Sequence, residues 1–487
     1  MQRETKFLLQ ERVFFHFYQI SRIPRGSGKE KEVSLFLLKW AKELGLFAEQ
    51  DDALNVFIRK EAASGYEEAP TVMLQAHMDM VCEKAEDVSH DFTKDPIEWV
   101  IDGDTLSTGG RTTLGADNGI GVALAMAILE DASLRHPQIE VLFTTMEEED
   151  LSGASRFDMS KTNAAFLFNL DHVNDAEILC GSCGGMQADV RIPVEPVSVP
   201  AGWRACLLHI GGLKGGHSGE DIHRGRGNAI VILARAIQLL EKENVLLGAA
   251  NGGSFRLAIP REAHAIVFLS PEKLNAAQET IRSFEKTIRE ELPDSADSIC
   301  VQLSLQEGSG EDSDDTVCVM PETILDAVML IPDGIHQMSD VFEGVVHTSD
   351  NLGEMYLDKN ELHLILEIRS ASDSLRTYLF ERMQRLARRL GGSCSCSNVY
   401  PGWQFQHHSE LRDLCGSVYR KLFGSSPAFQ VVHAGLEVGS LLGTERSPDA
   451  VSIGPNMKDF HSPYESLEIS SVRKEYQYLC AVLSEIR

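Results

Sequence analysis

Five short motifs in this 487-residue sequence set histidine or acidic side chains at the edge of apolar runs. They are His77 and Asp79 in LQAHMDM, Asp117 in LGADNGIG, Glu147 and Glu148 in TTMEEED, Asp171 in FLFNLDH, and His461 in DFHSPYE. Imidazole and carboxylate groups are the nitrogen and oxygen ligands that Zn²⁺ and related ions use in proteins. The combination therefore indicates a zinc site rich in carboxylates.

Each motif taken alone also has an ordinary structural interpretation. His77 can be a buried structural histidine, Asp117 can cap the helix that Gly119 opens, and the acids at 147–150 can form a solvated loop. A phosphate-binding loop around Asp117 is disfavoured, because its carboxylate would repel phosphate and no GK[ST] sequence follows. Jointly, however, acids and histidines at consecutive strand ends are what a carboxylate-rich zinc site requires.

Charge balance favours two metal ions over one. Two Zn²⁺ ions carry four positive charges, which the carboxylates of Asp117, Glu148 and Asp171 and one bridging hydroxide would balance. A single ion with the same carboxylates would leave an uncompensated negative site.

The residues around these motifs predict buried strands separated by helices, which is the pattern of an α/β sheet. Apolar runs indicate strands at 71–76, 138–144 and 165–170 and helices at 8–20 and 119–129. Ligands of such sheets bind near the strand ends, where the motifs stand. His77 and Asp79 are two residues apart, so both side chains can face one site.

The chain is too long for one hydrophobic core, so more than one domain is expected. A proline-rich span at 193–200 indicates a linker, and alternating strands with amphipathic helices follow it. We therefore predict an α/β catalytic domain formed by residues 1–190 and 401–487, with an α+β domain inserted at 191–400. An acidic stretch at 308–315 is predicted to be a solvated loop.

Composition excludes several classes of protein. The net formal charge of −28 argues against binding to nucleic acid or to anionic membranes, which would repel the chain. The longest apolar stretch, at 120–129, is about half of the ~20 residues that a membrane helix needs. The ten cysteines are irregularly spaced, unlike those of a secreted disulfide scaffold. We therefore expect a cytoplasmic protein.

In their order, HMD, GADNG, EE, NLD and HSP, the motifs resemble the co-catalytic di-zinc exopeptidases, a family that includes aminoacylases, glutamate carboxypeptidases and carnosine-splitting dipeptidases. The sequences LKGGHSGEDIHRGRGNA, AIPREA and HAGLE are similar to its bacterial aminoacyl-histidine dipeptidase branch, also described as cytosolic nonspecific dipeptidases. The resemblance covers nearly the whole chain. It implies a zinc-exopeptidase-like α/β catalytic domain, an inserted α+β lid and dimerisation domain, and a homodimer.

The resemblance also implies a set of metal ligands and a cofactor. It implies two Zn²⁺ ions per chain, for which Mn²⁺ or Co²⁺ can substitute, held by His77, Asp117, Glu148, Asp171 and His461. Asp117 would bridge the two ions, with His77 and Asp171 on one of them and Glu148 and His461 on the other.

Further residues receive roles from the same resemblance. Asp79 matches the residue that orients the histidine ligand, and Glu147 matches the general base. Glu147 and Glu148 can differ in role because neighbouring side chains of extended backbone point apart. His217 matches a residue that reaches the partner subunit's site and stabilises the oxyanion, and Arg369 resembles a clamp for the substrate's carboxylate.

The implied reaction is hydrolysis of a dipeptide amide bond, with Xaa-His substrates such as β-Ala-His and a possible broader range. Two alternatives are an N-acyl amino-acid deacylase of the same family and a catalytically silent metal-binding protein. The chain departs from the branch's pattern at Met146, Leu257 and Tyr464, and Leu257 removes a polar group from the predicted substrate pocket. No role is assigned to His223, His433 or Glu437, although these residues lie in matching motifs.

Overall fold

The computed structural model describes residues 3–306, 317–442 and 447–487, so the acidic stretch predicted at 308–315 lies outside the described residues. The helices of the described residues are α1 (Arg3–Leu8), α2 (Arg12–Ser21), α3 (Lys31–Glu43), α4 (Ala116–Glu130), α5 (Glu147–Asp150), α6 (Ser152–Arg156), α7 (Ala229–Leu240), α8 (Leu274–Glu291), α9 (Glu322–Leu330), α10 (Asp373–Arg389), α11 (Glu410–Phe423), α12 (Val438–Leu441) and α13 (Ile469–Glu485).

The strands of the same residues are β1 (Phe47–Gln50), β2 (Val56–Lys60), β3 (Val72–His77), β4 (Val100–Asp102), β5 (Thr105–Ser107), β6 (Ile139–Thr144), β7 (Phe166–Asn169), β8 (Glu177–Ser182), β9 (Gly184–Pro193), β10 (Pro196–Ser198), β11 (Arg204–Gly211), β12 (Gly216–His217), β13 (Leu246–Gly252), β14 (Ala258–Ile259), β15 (Ala263–Leu269), β16 (Cys300–Leu305), β17 (Val317–Val319), β18 (Gly334–Met338), β19 (Val346–Leu357), β20 (Glu361–Ser370), β21 (Ser393–Tyr400), β22 (Ala428–Val432), β23 (Asp449–Ser452), β24 (Met457–Lys458) and β25 (Ser466–Glu468).

The chain divides into two compact units. The first unit comprises Met1–Ser182, Trp403–Val431 and Leu436–Arg487, and the second comprises Cys183–Gly402 and Val432–Gly435. Both units mix helices and strands, so the predicted α/β class with an inserted α+β segment is confirmed.

The first unit is built on an eight-stranded sheet in the order β1-β2-β6-β3-β7-β23-β8-β22. The neighbours β6, β3, β7 and β23 run parallel to one another. Every residue of β3 and β6 is buried, as expected for parallel strands that are covered on both faces. Helix α4 is apolar almost all round and nearly every residue of it is buried, which explains its continuous run of small and aliphatic residues.

The second unit is built on an eleven-stranded sheet whose main path is β16-β11-β15-β13-β19-β20-β9-β21. The strand pairs along this path are antiparallel. Strand β15 alternates buried and more exposed side chains, and helix α8 buries one stripe formed by Ala277, Ile281, Phe284 and Ile288. This alternation is what identified the segment as α+β from the sequence.

Two local expectations were wrong. Residues 8–20 were predicted as one helix, but α1 and α2 are separated by a turn in which the Gln10 amide donates to the Phe7 carbonyl. The span 193–200 was predicted as a linker, but it contains β10, which pairs with β17. Proline is tolerated in β10 because, among the described residues, this strand has a neighbour on one side only, so a missing N–H breaks no ladder.

None of the described helices combines the length and the apolar character that crossing a bilayer demands.

Candidate active site

The predicted metal ligands of the first unit lie where parallel strands end. Strand β3 ends at His77, and Asp171 stands two residues after the end of β7. Strand β6, the neighbour of β3 on the side away from β7, ends at Thr144 and is followed by Glu147 and Glu148. Because the carboxyl ends of parallel strands meet at one edge of a sheet, these side chains converge there.

One group of potential ligands consists of His77, Asp117 and Asp171. The His77 Nε2 atom lies 3.1 Å from Asp117 Oδ1 and 3.4 Å from Asp171 Oδ1. Asp117 reaches this position because it and Asn118 depart from helical dihedral angles, so the regular part of α4 begins after them. The interpretation of Asp117 as a helix cap therefore does not describe its contacts, which are made to imidazole groups.

A second group consists of Asp117, Glu148 and His461. The His461 Nε2 atom lies 3.2 Å from Asp117 Oδ2 and 2.8 Å from Glu148 Oε2. Asp117 therefore directs one carboxylate oxygen towards each group, which is the geometry of a carboxylate that can bridge two ions. A third combination, His77 with Glu147 and Glu148, also brings its ligand atoms within 4.8 Å of one another.

The acidic pair does not lie in extended backbone, so that expectation was wrong. Residues 147–150 form the short helix α5, because Met146 adopts a positive φ of 58° and its carbonyl accepts from the amides of Asp150 and Leu151. Successive side chains of a helix are rotated by about 100°. Glu147 and Glu148 still point apart for this reason: Glu148 contacts His461, whereas Glu147 Oε2 lies 3.9 Å from His77 Nε2.

Unsatisfied carboxylate oxygens show that the cluster fits a metal ion. Within the described residues, the buried Glu148 Oε1 has no hydrogen-bond partner, and the buried Asp171 Oδ1 has only the long 3.4 Å contact with His77 Nε2. A buried carboxylate oxygen without a donor is costly, and a bound cation relieves that cost. The hard oxygens and imidazole nitrogens of the cluster are a donor set that suits Zn²⁺ and similar divalent ions.

The electrostatics of the cluster favour the same conclusion. Burial, together with the nearby Asp117 charge, raises the pKa of Asp171 to about 7, although His77 opposes the shift. Burial opposes charging of His461, but hydrogen bonds to Asp117 and Glu148 raise its pKa to about 11. The cluster therefore holds protons as a substitute for positive charge, and a divalent cation would displace them.

Asp79 contacts both the His77 ring and the backbone of the acidic pair, Glu147 and Glu148. Its Oδ1 lies 3.4 Å from His77 Nδ1, the ring nitrogen on the far side of the ligand atom. Its two oxygens also accept from the backbone amides of Glu147 and Glu148 at 3.2 Å, and Oδ2 accepts from the Ser27 hydroxyl at 2.8 Å. A carboxylate in this place fixes the tautomer of the imidazole and raises its basicity as a ligand.

Two buried charged residues beside the site were missed by the sequence analysis. Glu465 accepts hydrogen bonds from four consecutive backbone amides, those of residues 114–117, at 2.7 to 3.2 Å. Arg25 donates to the carbonyls of Met78 and Asp79 at 3.0 and 2.9 Å, and also to the carbonyl of Gly115. Glu465 belongs to the HSPYE motif, which offered a signal, whereas Arg25 stands in an ordinary turn sequence.

The predicted residues of the second unit form a separate polar cluster. Arg369, at the end of β20, is 3% exposed and donates to the Tyr400 hydroxyl at 3.0 Å and to the Ser218 hydroxyl at 3.4 Å. Its Nη2 atom lies 3.5 Å from His217 Nε2. The His217 Nδ1 atom accepts from the amides of Gly219 and Glu220 at 3.3 and 3.1 Å, which leaves Nε2 as the nitrogen that carries the proton.

The remaining histidines of the motifs differ in environment. His433 is buried, its Nε2 lies 2.7 Å from the Ser349 hydroxyl, and burial with the Arg369 charge lowers its pKa to about 3. His223 is exposed. Among the departures from the branch's pattern, the Leu257 carbonyl accepts from the amide of Ser218, beside His217. Tyr464 is 69% exposed.

Comparisons with known proteins agree over most of the chain. The sequence model described as peptidase family M20/M25/M40 matches residues 73–485. The chain is 36% identical over 471 residues to the cytosol non-specific dipeptidase of Escherichia coli (strain K12), covering 96% of each protein.

Solved structures match as well. The crystal structure of aminoacylhistidine dipeptidase from Vibrio alginolyticus is similar with a TM-score of 0.85 and 34% identity, over 98% of this chain and 96% of that one. Aminopeptidase PepT from Bacillus cereus shares the fold, with a TM-score of 0.56 and 16% identity over 98% of both chains.

Proposed function

This chain belongs to peptidase family M20/M25/M40, and from that premise we propose that it is a metal-dependent dipeptidase. The resemblance found in the motifs is thereby confirmed. The observation that carries the proposal is the position of Asp117, whose two oxygens face His77 on one side and His461 on the other. The names of the two full-length relatives, a non-specific dipeptidase and an aminoacylhistidine dipeptidase, support dipeptides as substrates.

We assign the metal ligands as two overlapping sets. His77, Asp117 and Asp171 would hold one ion, and Asp117, Glu148 and His461 the other. Zinc is the proposed metal, with Mn²⁺ or Co²⁺ able to substitute. Bound in this place, the two ions would lower the pKa of a water molecule and polarise the amide carbonyl of the substrate.

Residues of the chain would transfer the proton and orient the metal ligands. Glu147 takes a proton from the water and delivers it to the leaving amine, a role that suits a carboxylate whose pKa is raised by burial and by its acidic neighbours. Asp79 holds His77 in its orientation. Asp79 also accepts from the amide of Glu147, so the base and the ligand share one support.

The polar cluster of the second unit is proposed to bind the substrate. Arg369 Nη2 and His217 Nε2 are both donors and lie 3.5 Å apart, so an oxyanion or a carboxylate could accept from both. Arg369 would bind the terminal carboxylate of the dipeptide, and His217 would donate to the oxyanion in the site of a second subunit. The second unit is accordingly proposed as a lid and dimerisation domain, in a homodimer located in the cytosol.

A substrate panel tests the function. The full-length protein is stripped of metal with a chelator, restored with Zn²⁺, Mn²⁺ or Co²⁺, and assayed with Ala-His, β-Ala-His and acetylated amino acids. We expect the restored protein to hydrolyse dipeptides faster than acetylated amino acids, and the stripped protein to be inactive. Faster hydrolysis of acetylated amino acids would indicate a deacylase, and metal binding without any hydrolysis would indicate a silent metal-binding protein.

A further inference from the structure

A row of buried polar side chains crosses the sheet of the first unit next to the candidate ligands. Gln75, Asn169 and Ser452 are direct partners in register across β3, β7 and β23. Gln75 stands two residues before His77, and Asn169 stands two residues before Asp171. Gln75 therefore lies on the same face of β3 as His77, and Asn169 is the last residue of β7 before the turn that carries Asp171.

The hydrogen bonds of this row run in one direction. The Ser452 hydroxyl donates to Asn169 Oδ1, and Asn169 Nδ2 donates to Gln75 Oε1 at 2.7 Å. Gln75 Nε2 then donates to Glu437 Oε2, which also accepts from the Thr144 hydroxyl at 2.7 Å. Glu437 is thus the final acceptor of the row, and hydrogen bonds aligned in this way polarise one another.

Burial makes the row unusual for the interior of a parallel sheet. All five members, Gln75, Thr144, Asn169, Ser452 and Glu437, are 0% exposed. Apolar side chains are the rule in such strands, and buried polar groups are costly unless their hydrogen bonds are satisfied. Within the described residues, Glu437 Oε1 is buried and has no hydrogen-bond partner. Only the other carboxyl oxygen, Oε2, therefore contributes hydrogen bonds to the fold.

We propose that Glu437 is a positioning residue for the metal site: it anchors the polar row that orients His77, Asp171 and the acidic pair. The inference rests on the proposed function, since it concerns the ligands of the same metal ions. Gln75 connects Glu437 to the strand that carries His77, and Thr144 connects it to the strand that precedes Glu147 and Glu148. Asn169 extends the connection to the strand that precedes Asp171.

The first test is Glu437→Gln in the full-length protein, with Zn²⁺ affinity measured by competition with a chromophoric chelator. Groups that support metal ligands without touching the metal affect affinity by about 10- to 100-fold, so a loss of this size is expected. KM for a dipeptide should change little at saturating Zn²⁺, because Glu437 touches no substrate. The visible spectrum of the Co²⁺-loaded variant should also change, since it reports ligand geometry.

Glu475→Gln is the matched control. Glu475 is a glutamate of the same unit, in α13, that is also buried and also has an unpartnered Oε1 within the described residues. Its substitution should leave Zn²⁺ affinity within about twofold of wild type, whatever it does to stability. Equal Zn²⁺ affinities for wild type, Glu437→Gln and Glu475→Gln would overturn the proposal.

Two further variants decide the matter even if Glu437→Gln does not fold. Thr144→Val removes one of the two donors to Glu437 with little change of shape, and a loss of Zn²⁺ affinity of about three- to tenfold is expected. The exchange of Gln75→Glu with Glu437→Gln restores one amide and one carboxyl group, and its Zn²⁺ affinity should lie within about threefold of wild type. Unchanged Zn²⁺ affinity in Thr144→Val would overturn the proposal, whether or not Glu437→Gln folds.

These measurements separate the inference from the proposed function. Zn²⁺ affinity is measured without substrate, so a protein that binds Zn²⁺ but hydrolyses no dipeptide would refute the function and still test Glu437. A protein that hydrolyses dipeptides with unchanged Zn²⁺ affinity in Glu437→Gln and Thr144→Val would keep the function and refute the inference.

Discussion

Two adjacent glutamates of the site, Glu147 and Glu148, contact different histidines and are proposed to have different roles. Glu148 lies 2.8 Å from His461, whereas Glu147 points to the His77 side at 3.9 Å. The short helix α5 turns them apart, and the amides of both are held by Asp79. Identical side chains can therefore serve as a ligand and as a base because the backbone between them is fixed.

Glu147→Gln tests this division. The substitution keeps the shape of the side chain but removes its ability to accept a proton, so kcat should fall by about 10²- to 10⁴-fold. Metal content, measured by elemental analysis, should stay at the wild-type level. Glu149→Gln, an exposed member of the same acidic run, is the control and should retain wild-type kcat. Retained turnover in Glu147→Gln would remove this residue from the role of base.

Proton competition should make metal binding depend on pH. Because burial and Asp117 raise the pKa of Asp171 to about 7, this carboxyl is protonated below that pH and must lose its proton to bind metal. His461, whose pKa is raised to about 11, must also lose a proton before its ring nitrogen can bind a metal ion. Zn²⁺ affinity is therefore expected to fall as the pH is lowered from about 8 to about 5.5, as chelator competition would show. Constant affinity across this range would contradict the assigned ligands.

At the scale of elements, the loop before α4 is held by charged residues on two sides. Glu465 accepts from the four amides of residues 114–117, and Arg25 donates to the Gly115 carbonyl and to the carbonyls that follow β3. This loop leads into the non-helical start of α4, where Asp117 stands, and Glu465 stands four residues after His461. The segments that supply these two ligands are therefore tied together by backbone hydrogen bonds.

Glu465→Gln should loosen this connection. An amide has one acceptor oxygen where the carboxylate has two, so buried N–H groups lose partners and the free energy of unfolding should fall by about 1–3 kcal/mol. Urea denaturation of the metal-free protein measures this change. Tyr464→Phe, at the exposed neighbouring residue, should stay within about 0.5 kcal/mol of wild type. Equal stabilities of the two variants would show that Glu465 does not hold the loop.

Local sequence patterns predicted the elements better than their connections. Strands β3, β6 and β7 were located to within one residue at each end, because continuous apolar runs identify buried parallel strands. The break between α1 and α2 and the strand at Pro196–Ser198 were missed, because a turn bond and an edge pairing leave little trace in hydrophobic periodicity. The contact between Glu465 and residues 114–117 joins positions about 350 apart, and no short-range pattern encodes it.

For the whole molecule, the residues proposed to act in catalysis are distributed over the two units. The proposed metal ligands, Asp79 and Glu147 all belong to the first unit, whereas His217 and Arg369 belong to the second. Neither unit is a single stretch of sequence, since the chain returns to the second unit at Val432–Gly435. The proposed catalytic set therefore requires both units, and the proposed role of His217 requires a second copy of the chain.

A mixture of two inactive variants tests the role of His217. His217→Ala and Glu147→Gln are each expected to lower kcat, the former by about 10²- to 10³-fold. If His217 acts in its partner's site, a mixed dimer contains one site with both residues intact, so random mixing should restore about a quarter of wild-type activity. Activity is measured after the subunits have exchanged. No recovery, with exchange verified by mass spectrometry, would mean that His217 does not act across subunits.

The unequal exposure of His77 and His461, the two histidines proposed as metal ligands, has a kinetic consequence. The side chain of His461 is 44% exposed, whereas that of His77 is 1% exposed. An ion on the His461 side can exchange with solvent far more readily than its neighbour, so dialysis against a chelator should release metal in two phases. The species between the phases, which retains the ion at His77, would let the contribution of each ion to turnover be measured separately.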